Sequence, residues 1–171
     1  MASGTANNRS EIEQLKELFK LQPHGPEEAG FYREVFRSND KVRKVDLDGV
    51  KDASTSIYFL LEGGPKRGRW RHFPFDETWV WIKGHVLKLH MIDPKDGTYS
   101  SVKIGDVLQY TVPANTVFTA EVEREGEFVL AACVVAPGWT FEDFRTPSQD
   151  ELLERFPHHA ATIRKFFGRQ C

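Results

Sequence analysis

Cysteine is nearly missing from this sequence: there are two, Cys133 and Cys171, in 171 residues. They make no disulfide framework, so the fold has to rest on its own core, and a reducing compartment is expected. Long apolar runs are missing too. None approaches the ~20 residues that cross a bilayer, and the polar N-terminus has no hydrophobic signal region. A cytoplasmic protein with no membrane partner is the expectation. An excess of positive charge is also lacking: 23 Lys and Arg stand against 25 Asp and Glu, a net charge of -2. No broad basic face is implied, so nucleic acid is not an expected partner. The short basic run Lys66–Arg71 is diluted by Gly68 and Trp70 and reads as a solvated turn rim. There is no internal repeat, no phosphate-cradling glycine loop, no Ser/His/Asp elbow and no Cys/His zinc spacing.

What is present suits one domain of 40% hydrophobic and 28% charged residues, long enough to bury a core without staples. Residues 1–9 are small and polar and read as a disordered tail, leaving 10–171 as the domain. Ser10 opens a capping-box pattern, and Ile12, Leu15, Leu18 and Phe19 recur at helical spacing to about Lys20. Pro23–Gly30 is a loop by its turn residues. Phe31–Arg37 alternates as a strand, with a charged residue among apolar ones on each face, which suits the wall of a polar pocket. A short strand is expected at Lys44–Leu47, and a buried one at Thr55–Glu62, where β-branched and aromatic residues cluster. Further strands are expected at Val86–Ile92, Val107–Val112, Thr116–Arg124 and Glu127–Val135, with a turn at Asp93–Gly97. Roughly seven to nine short strands at turn-separated intervals predict an all-β sandwich or barrel of jelly-roll type. Ser148 is placed to cap a helix Gln149–Arg155, and a second helix, about His158–Phe167, should end at Gly168.

The densest chemistry lies in Gly64–Gly84. His72, Glu77 and the indoles of Trp70, Trp79 and Trp81 fall within twelve residues of one another. Trp79 and Trp81 are in phase with Glu77 on one strand face. A carboxylate in an aromatic wall has its proton affinity raised, and an imidazole titrates near neutrality, so the pair can move a proton. The plainer reading is that the aromatics fill a small barrel and His72 is a satisfied core or rim histidine. Tyr58 is a phenol donor or a core residue, His90 lies on the next strand, His24 sits in a loop, and Cys133 reads as a small buried hydrophobe.

The spacing G-x5-W-x-H-x4-E-x6-G, from Gly64 through Trp70, His72 and Glu77 to Gly84, resembles the first motif of the cupin superfamily, with Trp70 in place of the first histidine. Pro113–Phe118 resembles the second motif, with Asn115 where glycine is expected, Phe118 replacing histidine and Val122 replacing asparagine. From roughly Leu15 to Phe167 the chain resembles a small cupin group of unassigned function, cupin type 5. The pieces that carry this likeness include Gly30–Glu34, Ile57–Gly64, Asp76-Glu77-x-Trp79, Asp93-Pro94, Val112–Ala114, Ala136–Gly138 and Phe141–Phe144. Members of that group carry Trp-His-Arg before the glutamate and Trp-His after it. This chain reads Trp70-Arg71-His72 and Trp79-Val80-Trp81.

The resemblance implies a single cupin jelly-roll barrel with flanking helices, and a homodimer. It also implies a barrel pocket for a small molecule. His72 and Glu77 would be its acid/base pair, with Trp79, Trp81 and Phe118 as walls, Arg33, Tyr58 and Asn115 as polar anchors, and Trp70 and His90 as further substrate-binding residues. A cupin metal site needs about three imidazoles and a carboxylate. With only His72 and Glu77 at motif positions no cofactor is expected, and a divalent metal near that pair is the lesser alternative. The expected activity is a metal-independent isomerase, epimerase, cyclase or lyase. The alternatives are a non-catalytic ligand-binding cupin and a metal-dependent one.

Overall fold

A computed structural model describes residues 2–25, 29–45, 49–64 and 68–167, with side chains from residue 8 onward. In chain order the elements are helix α1 (Ala2–Leu18), strands β1 (Gln22–Pro23), β2 (Phe31–Arg37), β3 (Lys41–Val42), β4 (Lys51–Asp52), β5 (Thr55–Glu62), β6 (Asp76–Gly84), β7 (Leu87–Ile92), β8 (Tyr99–Ile104), β9 (Gln109–Val112), β10 (Val117–Glu121) and β11 (Phe128–Ala136), then helices α2 (Gln149–Arg155) and α3 (Ala160–Lys165). A short 3₁₀ turn, Pro157–His159, joins the last two.

The strands form one large and one smaller wall. The large sheet runs β1-β2-β5-β11-β6-β9, the smaller one β10-β7-β8, and β3 pairs with β4. All pairings are antiparallel, with β11 central between β5 and β6. β11 can be central because FVLAACVVA is apolar on both faces, and its residues are buried along most of its length. The inner faces of the two walls enclose one apolar cluster that includes Phe59, Trp79, Leu89, Met91, Phe118 and Cys133. This is the jelly-roll barrel expected from the strand count.

The segment Trp70–His72 extends the smaller wall. The Arg71 N–H donates to the Phe118 carbonyl at 2.9 Å, and the Phe118 N–H returns the bond to Arg71 at 2.9 Å. An extended segment alternates its side chains, so Trp70 and His72 face away from the barrel and Arg71 faces into it. Gly84 closes β6 with φ +99°. A Cβ there would lie 2.2 Å from the Phe128 carbonyl oxygen, so this turn requires glycine.

Helices cover two outer surfaces. α1 lays Ile12 and Leu15 over Leu60, Phe128 and Leu130. α2 and α3 bury Leu152, Phe156, Ile163 and Phe166 against Trp70, Ile92 and Val117 on the outside of the smaller wall. α2 begins as its sequence predicts, with Ser148 accepting from the Glu151 N–H and Glu151 reaching back to the Ser148 N–H.

Several boundaries differ from the sequence reading. The first helix starts at Ala2, ahead of Ser10, so the tail expected at residues 1–9 is helical from residue 2 onward. β8 was not foreseen; its exposed residues Ser100, Ser101 and Lys103 break the apolar alternation. The strand expected at Lys44–Leu47 runs beyond the described residues. Residues 44 and 45 are not strand, and the nearby pairing is β3 with β4. The helix stop expected at Gly168 also lies outside the described residues.

Candidate functional site

The large sheet turns two cross-strand rows toward the barrel interior. Thr55, Val135 and Glu77 form one row, and Ile57, Cys133 and Trp79 the next. With Phe59, and with Arg71 and Phe73 from the inward face of the arm, they line a cavity of about 240 Å³. Its mouth is built from His24, Tyr32, Glu34, Arg37 and the segment that carries Trp139, Phe141 and Phe144. Phe141 is 74% exposed at that rim.

Two ionisable side chains sit deep in the wall: Arg71 is 4% exposed and Glu77 7%. The Arg71 guanidinium lies over the Phe118 ring at 4.6 Å and the Trp79 ring at 5.7 Å. That placement fixes its plane and lowers the cost of burying it. The buried indole N–H of Trp79 has no hydrogen-bond acceptor in the structure. The imidazole of His24 packs on Tyr32 at 4.4 Å and on Phe59 at 5.9 Å.

At the mouth, Arg37 forks onto Glu34, with Nε at 2.9 Å and Nη2 at 2.7 Å from its two oxygens, and its Nη1 donates to Asp52 at 2.7 Å. The bonds to Glu34 and Asp52 raise the Arg37 pKa above its ordinary value. Lys41 and Arg37 hold the Asp52 carboxyl below the usual range. Arg37 also donates to the Trp139 carbonyl at 3.3 Å, and the Trp139 N–H donates to Thr55 Oγ1 at 3.0 Å. The rim segment is thereby tied to β2 and β5.

The structure places the expected residues unevenly. Glu77 and Trp79 line the cavity. His72 does not join them. It faces a separate shallow depression shared with Pro74, Asn115, Glu142, Asp143 and Arg145, so the expected His72–Glu77 pair is not assembled. Burial, then the charges of Arg145 and Arg155, push the His72 pKa below its ordinary value. Asn115 belongs to the same depression and makes a turn at φ +64°. Trp70 is buried beneath the C-terminal helices, edge-on to Phe166 at 5.6 Å. Phe118 stands behind Arg71 rather than on the cavity surface.

The remaining expected residues also lie off the cavity. Trp81 packs against the core, and its N–H donates to the His85 carbonyl at 3.4 Å. His90 faces outward into a buried network with Tyr99 at 2.7 Å and Glu121 at 2.9 Å. Arg33 is exposed and donates to the Phe19 carbonyl at 3.2 Å. Tyr58 packs in a tilted contact with Phe19 at 4.9 Å outside the barrel.

Sequence reasoning missed Arg71, taken as part of a solvated rim, and also Arg37, Phe59, Tyr32 and Trp139. For Arg71 the signal was available: if Trp70 and His72 share one face of an extended arm, the residue between them takes the other.

A cupin metal centre would need several imidazoles and a carboxylate turned toward one point. Among the described residues no three His, Cys, Asp or Glu side chains are grouped to hold a metal ion. At the cavity the arm presents a guanidinium, which cannot ligate a cation, and Phe118 stands where the second motif would bring an imidazole. The residues present do not fit that centre.

The comparisons with known proteins agree with the architecture. A family model described as Cupin superfamily (DUF985) matches residues 13–146. No curated protein matches the chain. A hypothetical protein from Leishmania major is 33% identical, with a TM-score of 0.80, over 90% of this chain and 96% of that one. A protein from Shewanella oneidensis is 30% identical, with a TM-score of 0.78, over 90% and 95%. Oxalate decarboxylase from Bacillus subtilis, 14% identical with a TM-score of 0.54 over 84% of this chain and 36% of that one, shares the fold alone. On the family match and the two relatives of about a third identity, the chain belongs to the Cupin superfamily (DUF985).

Proposed function

We propose that the barrel cavity is a small-molecule site in which Glu77 takes up and returns a proton, giving an isomerase, epimerase, cyclase or lyase. The observation that carries this reading is Glu77 itself: a carboxyl side chain 7% exposed, on the wall of an aromatic-lined cavity. A carboxyl group on the wall of a cavity can act on a bound ligand as general base and then as general acid. The imidazole on this cavity is His24, at the mouth, and it takes the acid/base role that spacing had given to His72. Phe59, Phe73, Trp79 and Trp139 supply flat apolar walls that exclude water from the ligand. The homodimer implied by the resemblance belongs to the same proposal.

A substrate-independent assay tests it. The protein is incubated with a mixed small-metabolite extract in deuterated water, and mass spectrometry reads solvent deuterium entering a carbon site or a changed isomer ratio. Wild type is expected to label or convert a compound. Glu77→Gln should reduce the rate ~10²–10⁴-fold, and His72→Ala should leave it unchanged. Retention of a compound by wild type with no labelling or conversion would select the non-catalytic binding reading. Loss of turnover in His72→Ala with full activity in Glu77→Gln would overturn the assignment.

A further inference from the structure

We propose that the ligand of this cavity is a small acid, a carboxylate carried on a flat apolar body, and that Arg71 and the Trp79 indole N–H receive the carboxylate. The inference rests on the cavity being a small-molecule site and adds the chemical class.

Two donor-bearing side chains, Arg71 and Trp79, share one stretch of the cavity wall. Arg71 is a buried cation whose plane is held by the faces of Phe118 and Trp79. A guanidinium carries its N–H donors in a rigid fork matched to carboxylate geometry, and one partner does not exhaust it. Beside it, Trp79 is 1% exposed, and its indole N–H has no acceptor in the structure. A buried donor without an acceptor costs on the order of 1–3 kcal/mol. A ligand group that brings two acceptor oxygens meets both donors at once.

The carboxylates nearby fix the polarity. Glu34 is held by the Arg37 fork at the mouth. Glu77 lies two residues from Trp79 on the same face of β6, roughly 7 Å along the strand. A ligand acid at the Trp79 end therefore stands off from Glu77, while the ligand body reaches it with a C–H or O–H. The walls between are Ile57, Phe59 and Phe73, which suit a ring or conjugated chain rather than a polyol. The volume of about 240 Å³ falls below the ~300–1,000 Å³ of sites for drug-sized ligands, so the enclosed body is about one ring.

A charge series on one shape tests the class: benzoate, benzamide and benzamidine, by titration calorimetry and by the indole N–H resonances of uniformly ¹⁵N-labelled protein. The protein has four tryptophans, and Trp79→Phe assigns the resonance. Benzoate should shift the Trp79 N–H and bind about tenfold or more tightly than benzamide. Arg71→Met should bring benzoate down to the level of benzamide, and Arg71→Lys should keep part of the preference. Should Arg71→Met fail to fold, the wild-type series decides alone. Equal binding of benzoate and benzamide, or preference for benzamidine, overturns the acid class and leaves the small-molecule site standing. No binding of any of the three, with the Trp79 N–H unmoved, removes both.

Discussion

Arg71 and His72 are neighbours in sequence, yet they serve different surfaces. The group that the chain resembles places histidine before arginine here. Exchanging two adjacent residues on an extended arm exchanges the faces they occupy. A guanidinium therefore stands inside the barrel and the imidazole outside. Motif spacing singled out this stretch, and the structure places Glu77 and Trp79 on the cavity wall and His72 on the separate depression. Spacing counts residues and does not say which face each one takes. His72 can be tested through pH. Its folded pKa lies below the ordinary 6.5, chiefly through burial and then through Arg145 and Arg155. The folded state thus favours neutral imidazole. The associated stability is complete above pH 6.5 and is lost as the pH falls below it, where the unfolded chain takes up the proton first. In urea unfolding, His72→Gln should gain on wild type between pH 7.5 and pH 5.5. Parallel pH dependence of the two midpoints would show that the imidazole carries no such linkage.

At the scale of elements, α2 and its cap were legible because a capping box is local, written in Ser148 and Glu151. The network beneath α3 was not, because His90, Tyr99, Glu121 and Lys165 come from three strands and a helix. Lys165 and His90 both reach Glu121, which is almost fully buried. Burial pushes the Glu121 carboxyl upward, but the bonds from His90 and Lys165 outweigh it and hold the carboxyl at about 2. A depressed carboxyl stabilises the fold above its unfolded value near 4.5, and that contribution fades as the pH falls toward 2. Glu121→Gln leaves a lysine and a histidine facing a neutral amide, and should cost on the order of 3–5 kcal/mol at pH 7. The gap between variant and wild type should narrow between pH 4.5 and pH 2. Denaturant midpoints across that range measure it, and a gap that stays constant would mean that Glu121 acts by packing alone. Lys165 is the tether from this network to α3, so Lys165→Met should raise amide exchange in α3 ahead of β7 and β10.

At the scale of the molecule, the outer face of the large sheet bears on the proposed homodimer. α1 covers that face only at the end near Leu60 and Leu130. Beyond it, a register row crosses five strands through Phe36, Ser56, Val134, Thr78 and Thr111. No member of the row is charged, although 28% of the chain is. Phe36 is 54% exposed and Val134 36%. The outward face of a solvated antiparallel sheet ordinarily carries polar and charged residues, so this row has the composition of a contact surface. An uncharged row meets its own copy across a two-fold axis without opposing like charges, the condition a symmetric pair requires. Addition at the β2 edge is a poorer alternative, because the register of β2 on β5 shifts between Glu34 and Phe36, and such bulges discourage edge-to-edge pairing. Light scattering on the purified protein should therefore give twice the chain mass of 19.6 kDa. Val134→Lys, on the outward face away from the cavity, should give the monomer mass with unchanged circular dichroism and an unchanged benzoate titration. A monomeric wild type would remove the dimer. A Val134→Lys variant that stays dimeric would move the interface off this face.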